Sequence, residues 1–166
     1  MQGKAREMEA DDNRTDDGLT LSSSRSTEVS LMSVREKKAG LDAKRKGLLD
    51  RVPKERQWTV FDHESLDMMD LAYLTAATGH EFAILRGKHE DVLYHGTSMN
   101  CPFEEDDELR LALYGHKYEI YGHSHPGEPE PRESLDDKRV LRLLGQKKSL
   151  LISGMTGRSI EFYGDL

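Results

Sequence analysis

The chain has a single cysteine, Cys101, among its 166 residues. An internal disulfide is therefore excluded, as is a zinc site built from several thiolates, and a lone thiol fits a reducing compartment. Aromatic side chains are scarce at 7%, and the hydrophobic fraction is 36% against 33% charged, so part of the chain is expected to stay outside a packed core. No apolar run approaches the roughly 20 residues that cross a bilayer. The first thirty residues also lack the apolar core of a secretory signal. Positive charge is in deficit, with a net charge of -7. An acidic chain is a poor default partner for nucleic acid or an anionic membrane, so neither is expected. The default expectation is then a soluble cytoplasmic protein with one ordinary domain.

The polarity is uneven. Residues 1–33 carry Asp11-Asp12, Asp16-Asp17 and Ser22-Ser23-Ser24 with little apolar pattern, which predicts a disordered polar tail. Residues 34–56 are rich in Lys and Arg with Leu41, Leu48 and Leu49 among them, which predicts a basic linker helix ended by Pro53. The folded domain is expected over 57–166, in an α/β arrangement. Strands are predicted at 57–61, 81–85, 91–94, 118–125, 149–153 and 159–163, and helices at 64–78, 104–114 and 134–144. Residues 96–103 and 127–132 are read as loops. Met68 and Met69 are read as core fillers. Of the remaining histidines, His63, His80, His89, His95 and His116 are read as surface or turn residues, and Cys101 as an idle thiol.

The informative stretch is His123-Ser-His125-Pro126, followed by Ser134 and Asp137. Strand side chains alternate, so a His-x-His places both imidazoles on one face. The same alternation groups Glu119 and Tyr121 with the two histidines, and Ile120, Gly122 and Ser124 on the other face. Asp137 heads the stripe Asp137, Val140, Leu141, Leu144, the inward face of a helix. A carboxylate there is costly to bury without a partner, and a metal ion would supply one. Two histidines and one carboxylate with a fourth position for water is a known ligand set for catalytic zinc. Such a site needs a base for the water proton. Glu81, at the start of a buried strand just after the helix-stopping Gly79, is the best candidate, with Glu90, Glu108 and Glu119 as rivals. Ser134 reads as a helix N-cap.

The pattern His123-Ser-His-Pro, seven residues, Ser134, two residues, Asp137 resembles the signature of the JAMM (MPN+) zinc metalloprotease family, in its prokaryotic or phage form. The resemblance covers roughly residues 57–166, and Glu81-Phe-Ala-Ile-Leu-Arg-Gly87 stands where the family's upstream glutamate belongs. It implies a curved mixed β-sheet flanked by helices, an architecture shared with cytidine deaminases. It implies one zinc per chain, ligated by His123, His125 and Asp137. Glu81 would act as general acid/base, and Ser134 would help stabilise the oxyanion. The implied activity is hydrolysis of a peptide or isopeptide bond. The implied substrate is a protein or peptide of the ubiquitin-like or phage- and toxin-precursor kind. Two rival readings stand beside it. One is an inert scaffold of the same fold that holds partners together. The other is a His-x-His metal hydrolase of another class, and the short globular part argues against a barrel of typical size.

Overall fold

The structure, a computed structural model, describes residues 18–23 and 43–164. Its elements are β1 (Thr20–Ser22), α1 (Ala43–Leu49), β2 (Trp58–Asp62), α2 (Met68–Thr78), β3 (Phe82–Gly87), β4 (Glu90–His95) and β5 (Asn100–Pro102). A 3-10 turn at Phe103–Glu105 leads into α3 (Asp107–Tyr114), followed by β6 (Tyr118–His125), α4 (Leu135–Leu144), β7 (Lys148–Ser153) and β8 (Ser159–Tyr163).

The apolar run Phe82-Ala-Ile-Leu85 suits a strand covered on both faces, and β3 sits at the centre of a six-stranded sheet in the order β2-β4-β3-β6-β7-β8. Every neighbouring pair is antiparallel except β6 and β7. A parallel pair needs a crossover, and α4 supplies it. Phe82, Ile84 and Leu93 point to one side of the sheet, where they pack with Leu71 and Leu74 of α2 and Leu48 of α1. Ala83, Leu85, Val92 and Tyr94 point to the other, where they meet Leu109 of α3, Val140 and Leu144 of α4, and Leu19 and Leu21 from the β1 segment. The chain is thus a mixed α/β fold, a mixed sheet with helices on both faces. No helix among the described residues is long and apolar enough to cross a membrane.

Helix boundaries follow their caps. α2 starts at Met68 rather than Glu64, because Asp67 and Asp70 form a reciprocal capping box, and it stops at Gly79 in the left-handed conformation. The acidic run at 104–107 does not open one continuous helix. Asp106 is extended and caps α3 by accepting from the Leu109 N–H, which separates α3 from the 3-10 turn before it. α1 covers Ala43–Leu49, while the predicted helical residues 34–42 lie outside the described residues.

Further expectations are corrected. Residues 18–23 are not part of a disordered tail: β1 pairs antiparallel with β5, Thr20 opposite Pro102 and Leu21 opposite Cys101. Complete burial of Leu19 and Leu21 accounts for this order in a polar stretch. The rest of the predicted tail, 1–17 and 24–33, lies outside the described residues. β5 itself falls within the stretch read as a loop. Second, β6 does not alternate evenly. Ile84 pairs with Gly122 but Leu85 pairs with Ile120, leaving Tyr121 as the extra residue of a bulge. Tyr118 and Ile120 therefore share the α4 side of the sheet with the two histidines, and Tyr121 turns to the α2 side. Third, His95 is buried, stacked on Phe82 at 4.4 Å between centroids, with its Nδ1 2.7 Å from the Pro53 carbonyl.

Candidate metal centre

The carboxyl end of β6 and the first turn of α4 meet at the edge of the core, and they bring the predicted ligands together. His123 and His125 are buried completely, as is Asp137. Gly122 and Ser124 point to the opposite side, against Met68 and Thr75 of α2, so the two histidines face α4. Ser124 is locked there, 2.5 Å from the Thr75 hydroxyl and accepting from the Phe82 N–H at 3.0 Å. Asp137 is set by its helix. The predicted inward stripe of Asp137, Val140, Leu141 and Leu144 is the buried set of α4. Ser134 is the N-cap: its hydroxyl accepts from the Asp137 N–H at 3.1 Å, and Asp137 Oδ2 accepts from the Ser134 N–H at 3.1 Å.

The resulting geometry is a near-equilateral triangle of donor atoms. His123 Nε2 is 3.2 Å from His125 Nε2, and Asp137 Oδ2 is 3.1 Å from the first and 3.2 Å from the second. A tetrahedral ion with bonds of about 2.0–2.1 Å separates its ligand atoms by about 3.3–3.4 Å. The three atoms thus fit one face of such a tetrahedron. Glu81 also borders the imidazoles. One of its oxygens and a ring nitrogen of each histidine lie within 4.8 Å of one another, so this buried group could hold a metal ion. Asp137 Oδ2 lies at hydrogen-bond distance from both rings, which makes it the third donor of the triangle, with Glu81 beside it.

Electrostatics separate the two carboxylates. Burial works against the charge on Asp137, but His123 and His125 outweigh it and hold its carboxyl far below the usual range. For Glu81 burial wins. Its pKa is pushed up to about 8, with His125 opposing the rise, Asp137 reinforcing it, and the polar groups of Ser23 opposing it more weakly. The Glu81 Oε2 atom is buried and completes no hydrogen bond of normal geometry among the described residues, and the same holds for His123 Nδ1 and the Ser23 hydroxyl. Burial depresses the pKa of His123. Burial also opposes protonation of His125, but the hydrogen bonds to Asp137 and Glu128 overcome it and raise its pKa to about 10. The Cys101 thiol, 3.9 Å from Glu81 Oε1, is buried and held protonated by burial and by Glu81, in keeping with an idle thiol.

Of the rival bases, Glu108 and Glu119 are exposed, and Glu90 accepts from the hydroxyl of Tyr118, at the opposite end of β6 from the histidines. Two participants escaped the sequence reading. Glu128 is buried and its Oε1 lies 3.1 Å from His125 Nδ1, which leaves Nε2 facing the donor triangle. Its signal was its position three residues after a candidate ligand, across Pro126-Gly127. The other is the β1 segment. The Ser22 N–H donates to Asp137 Oδ1 at 2.9 Å, and the Ser22 hydroxyl is 3.2 Å from that of Ser134. No sequence signal pointed to it, because a three-residue strand has no periodicity to read.

No protein-family model, curated protein or solved structure matches this chain.

Proposed function

We propose that the chain is a zinc-dependent hydrolase of the JAMM kind, cleaving a peptide or isopeptide bond. The observation that carries this reading is the triangle of His123, His125 and Asp137 with the buried carboxyl of Glu81 beside it. His123, His125 and Asp137 would hold the ion. When bound, it would supply Lewis acidity and bring the pKa of a water towards neutrality.

The protein's own groups divide the remaining work. Burial holds the Glu81 pKa up to about 8 in the metal-free chain, and a bound cation would oppose that and favour the carboxylate, the form that takes a proton. Ser134 accepts the Asp137 N–H through its oxygen and turns its own hydrogen to the Ser22 hydroxyl, which donates to Asp136, so that hydrogen would become available to a developing oxyanion once Ser22 moves away. The N-cap role and the catalytic role are therefore compatible in one hydroxyl. Glu128 orients His125 through Nδ1, a second carboxylate–histidine contact of the sort that fixes ring orientation in metal sites. The mixed sheet with helices on both faces agrees with the JAMM architecture at this coarser level.

The test is cleavage of peptide- and isopeptide-linked ubiquitin-like fusions by the full chain, with and without zinc, beside Glu81→Gln. The reading expects zinc-dependent cleavage that Glu81→Gln loses while still binding zinc. Full activity in Glu81→Gln would remove Glu81 from the mechanism. Zinc binding without cleavage of any fusion would favour the scaffold reading.

A further inference from the structure

Residues 18–23 reach the candidate metal centre from a distant part of the chain and lie in it as an extended peptide would. Three sets of contacts hold them. On one edge, β1 adds to β5, and the ladder continues where the Ser23 N–H donates to the Met99 carbonyl at 3.1 Å. On the other edge, the Ser22 N–H points the opposite way and donates to Asp137 Oδ1. On the inward face, Leu19 and Leu21, two residues apart, are fully buried with Cys101, Phe103 and Val140. On the outward face, the Thr20 hydroxyl donates to Glu104 and the Ser22 hydroxyl to Asp136. Main-chain pairing along one strand, with pockets for alternate side chains, is how folded domains bind extended peptides by strand addition.

We infer that the cleft between β5 and the first turn of α4 is a binding site for an extended peptide of the pattern Leu-x-Leu-small, and that Gly18–Ser23 is its in-chain ligand. The backbone of Ser22 contacts the carboxylate that would ligate the metal, and Ser23 lies beside the candidate base. A peptide substrate would have to displace this segment to reach those groups. Competition with substrate rests on the hydrolase reading, whereas docking of the segment does not. The small side chains of Ser22 and Ser23 at the centre, after two buried leucines, define what a displacing peptide must offer. Gly18 begins the docked segment in the left-handed region, at φ +80°, with a Cβ position only 2.5 Å from Leu143 Cδ1. A β-branched residue is a genuine outlier at that φ.

The experiment uses the full chain and its single cysteine. Directly opposed residues of an antiparallel pair lie about 4.5–5.5 Å apart at Cα, within the range a disulfide spans. Leu21→Cys should therefore cross-link to Cys101 when the chain is refolded in an oxidising glutathione buffer, which lets the pair form before Cys101 is buried. Thr20→Cys, on the opposite face of the strand, should not. A labelled peptide Gly-Leu-Thr-Leu-Ser-Ser, followed by fluorescence anisotropy, reads the cleft directly. Gly18→Val should bind it about tenfold more tightly than the wild type, because the in-chain ligand is strained out of the site. Oxidised Leu21→Cys should not bind it, and reduction should restore binding. A folded Leu21→Cys chain that does not cross-link would overturn the proposal. Should that variant fail to fold, equal peptide affinity in Gly18→Val and wild type would overturn it alone. Cross-linking and peptide binding in a chain that hydrolyses nothing would uphold the in-chain ligand and defeat only the hydrolase reading.

Discussion

Replacing Glu81 with Gln should stabilise the metal-free protein at alkaline pH, although it removes a residue placed at the centre of the chemistry. Glu81 has a pKa of about 8 in the fold against an ordinary 4.5, mainly through burial. Between these values the folded chain holds a proton that the unfolded chain has released. Stability contributed by this group is then fully present below pH 4.5 and is lost as pH rises through 8, by about 1.4 kcal/mol per pH unit. The accumulated loss reaches a ceiling of about 5 kcal/mol near pH 8. Glutamine is nearly isosteric and does not titrate, so Glu81→Gln escapes this loss. His125, raised to about 10 in part by Glu81, adds a loss of the same sign above pH 6.5, so the comparison is confined to pH 8 and below. The assay is urea unfolding of both chains in chelator at pH 5, 6, 7 and 8. The variant should match wild type to within about 1 kcal/mol at pH 5 and exceed it by several kcal/mol at pH 8. A difference independent of pH would refute the assignment of Glu81 as a buried, protonated carboxyl.

Three further outcomes follow from the same contacts. Glu128→Ala should weaken zinc binding by about 10- to 100-fold with the fold intact, measured by competition with a chelating dye, because His125 loses the partner of its Nδ1. Zinc binding near pH 7 should release about one to two protons, from His125 and in part from Glu81, and tighten as pH rises, since both pKa values lie above 7 in the metal-free chain; calorimetry in two buffers of different ionisation enthalpy reads it. Gly122→Ala should destabilise the fold by about 1–3 kcal/mol in denaturant unfolding, because a Cβ there would stand 2.4 Å from Met68 Sδ and 3.1 Å from the Leu150 carbonyl.

What the sequence disclosed was local. His-x-His at a strand end and a carboxylate on an apolar helix stripe are periodic features, and His123, His125 and Asp137 meet as their spacing predicts. Glu81 was legible only as a carboxylate beside a helix stop, and its burial depends on β5 and the β1 segment folding over it. Features set by distant pairing were hidden. The bulge at Tyr121 arises from how β6 lies against β3, so simple alternation put Glu119 and Tyr121 on the wrong face. β1 is ordered by Leu19 and Leu21 entering a core made by β5, α3 and α4, none of which its own polar neighbourhood announces. His95 was read as a surface residue because a lone histidine at a strand end gives no sign of Phe82 stacked on its ring.

The most direct measurement is metal content by elemental analysis of the full chain purified without added metal, beside His123→Ala prepared in the same way. The donor triangle predicts about one zinc per chain in the wild type and almost none in the variant. No metal in either protein after zinc is supplied, or equal metal in both, would contradict it.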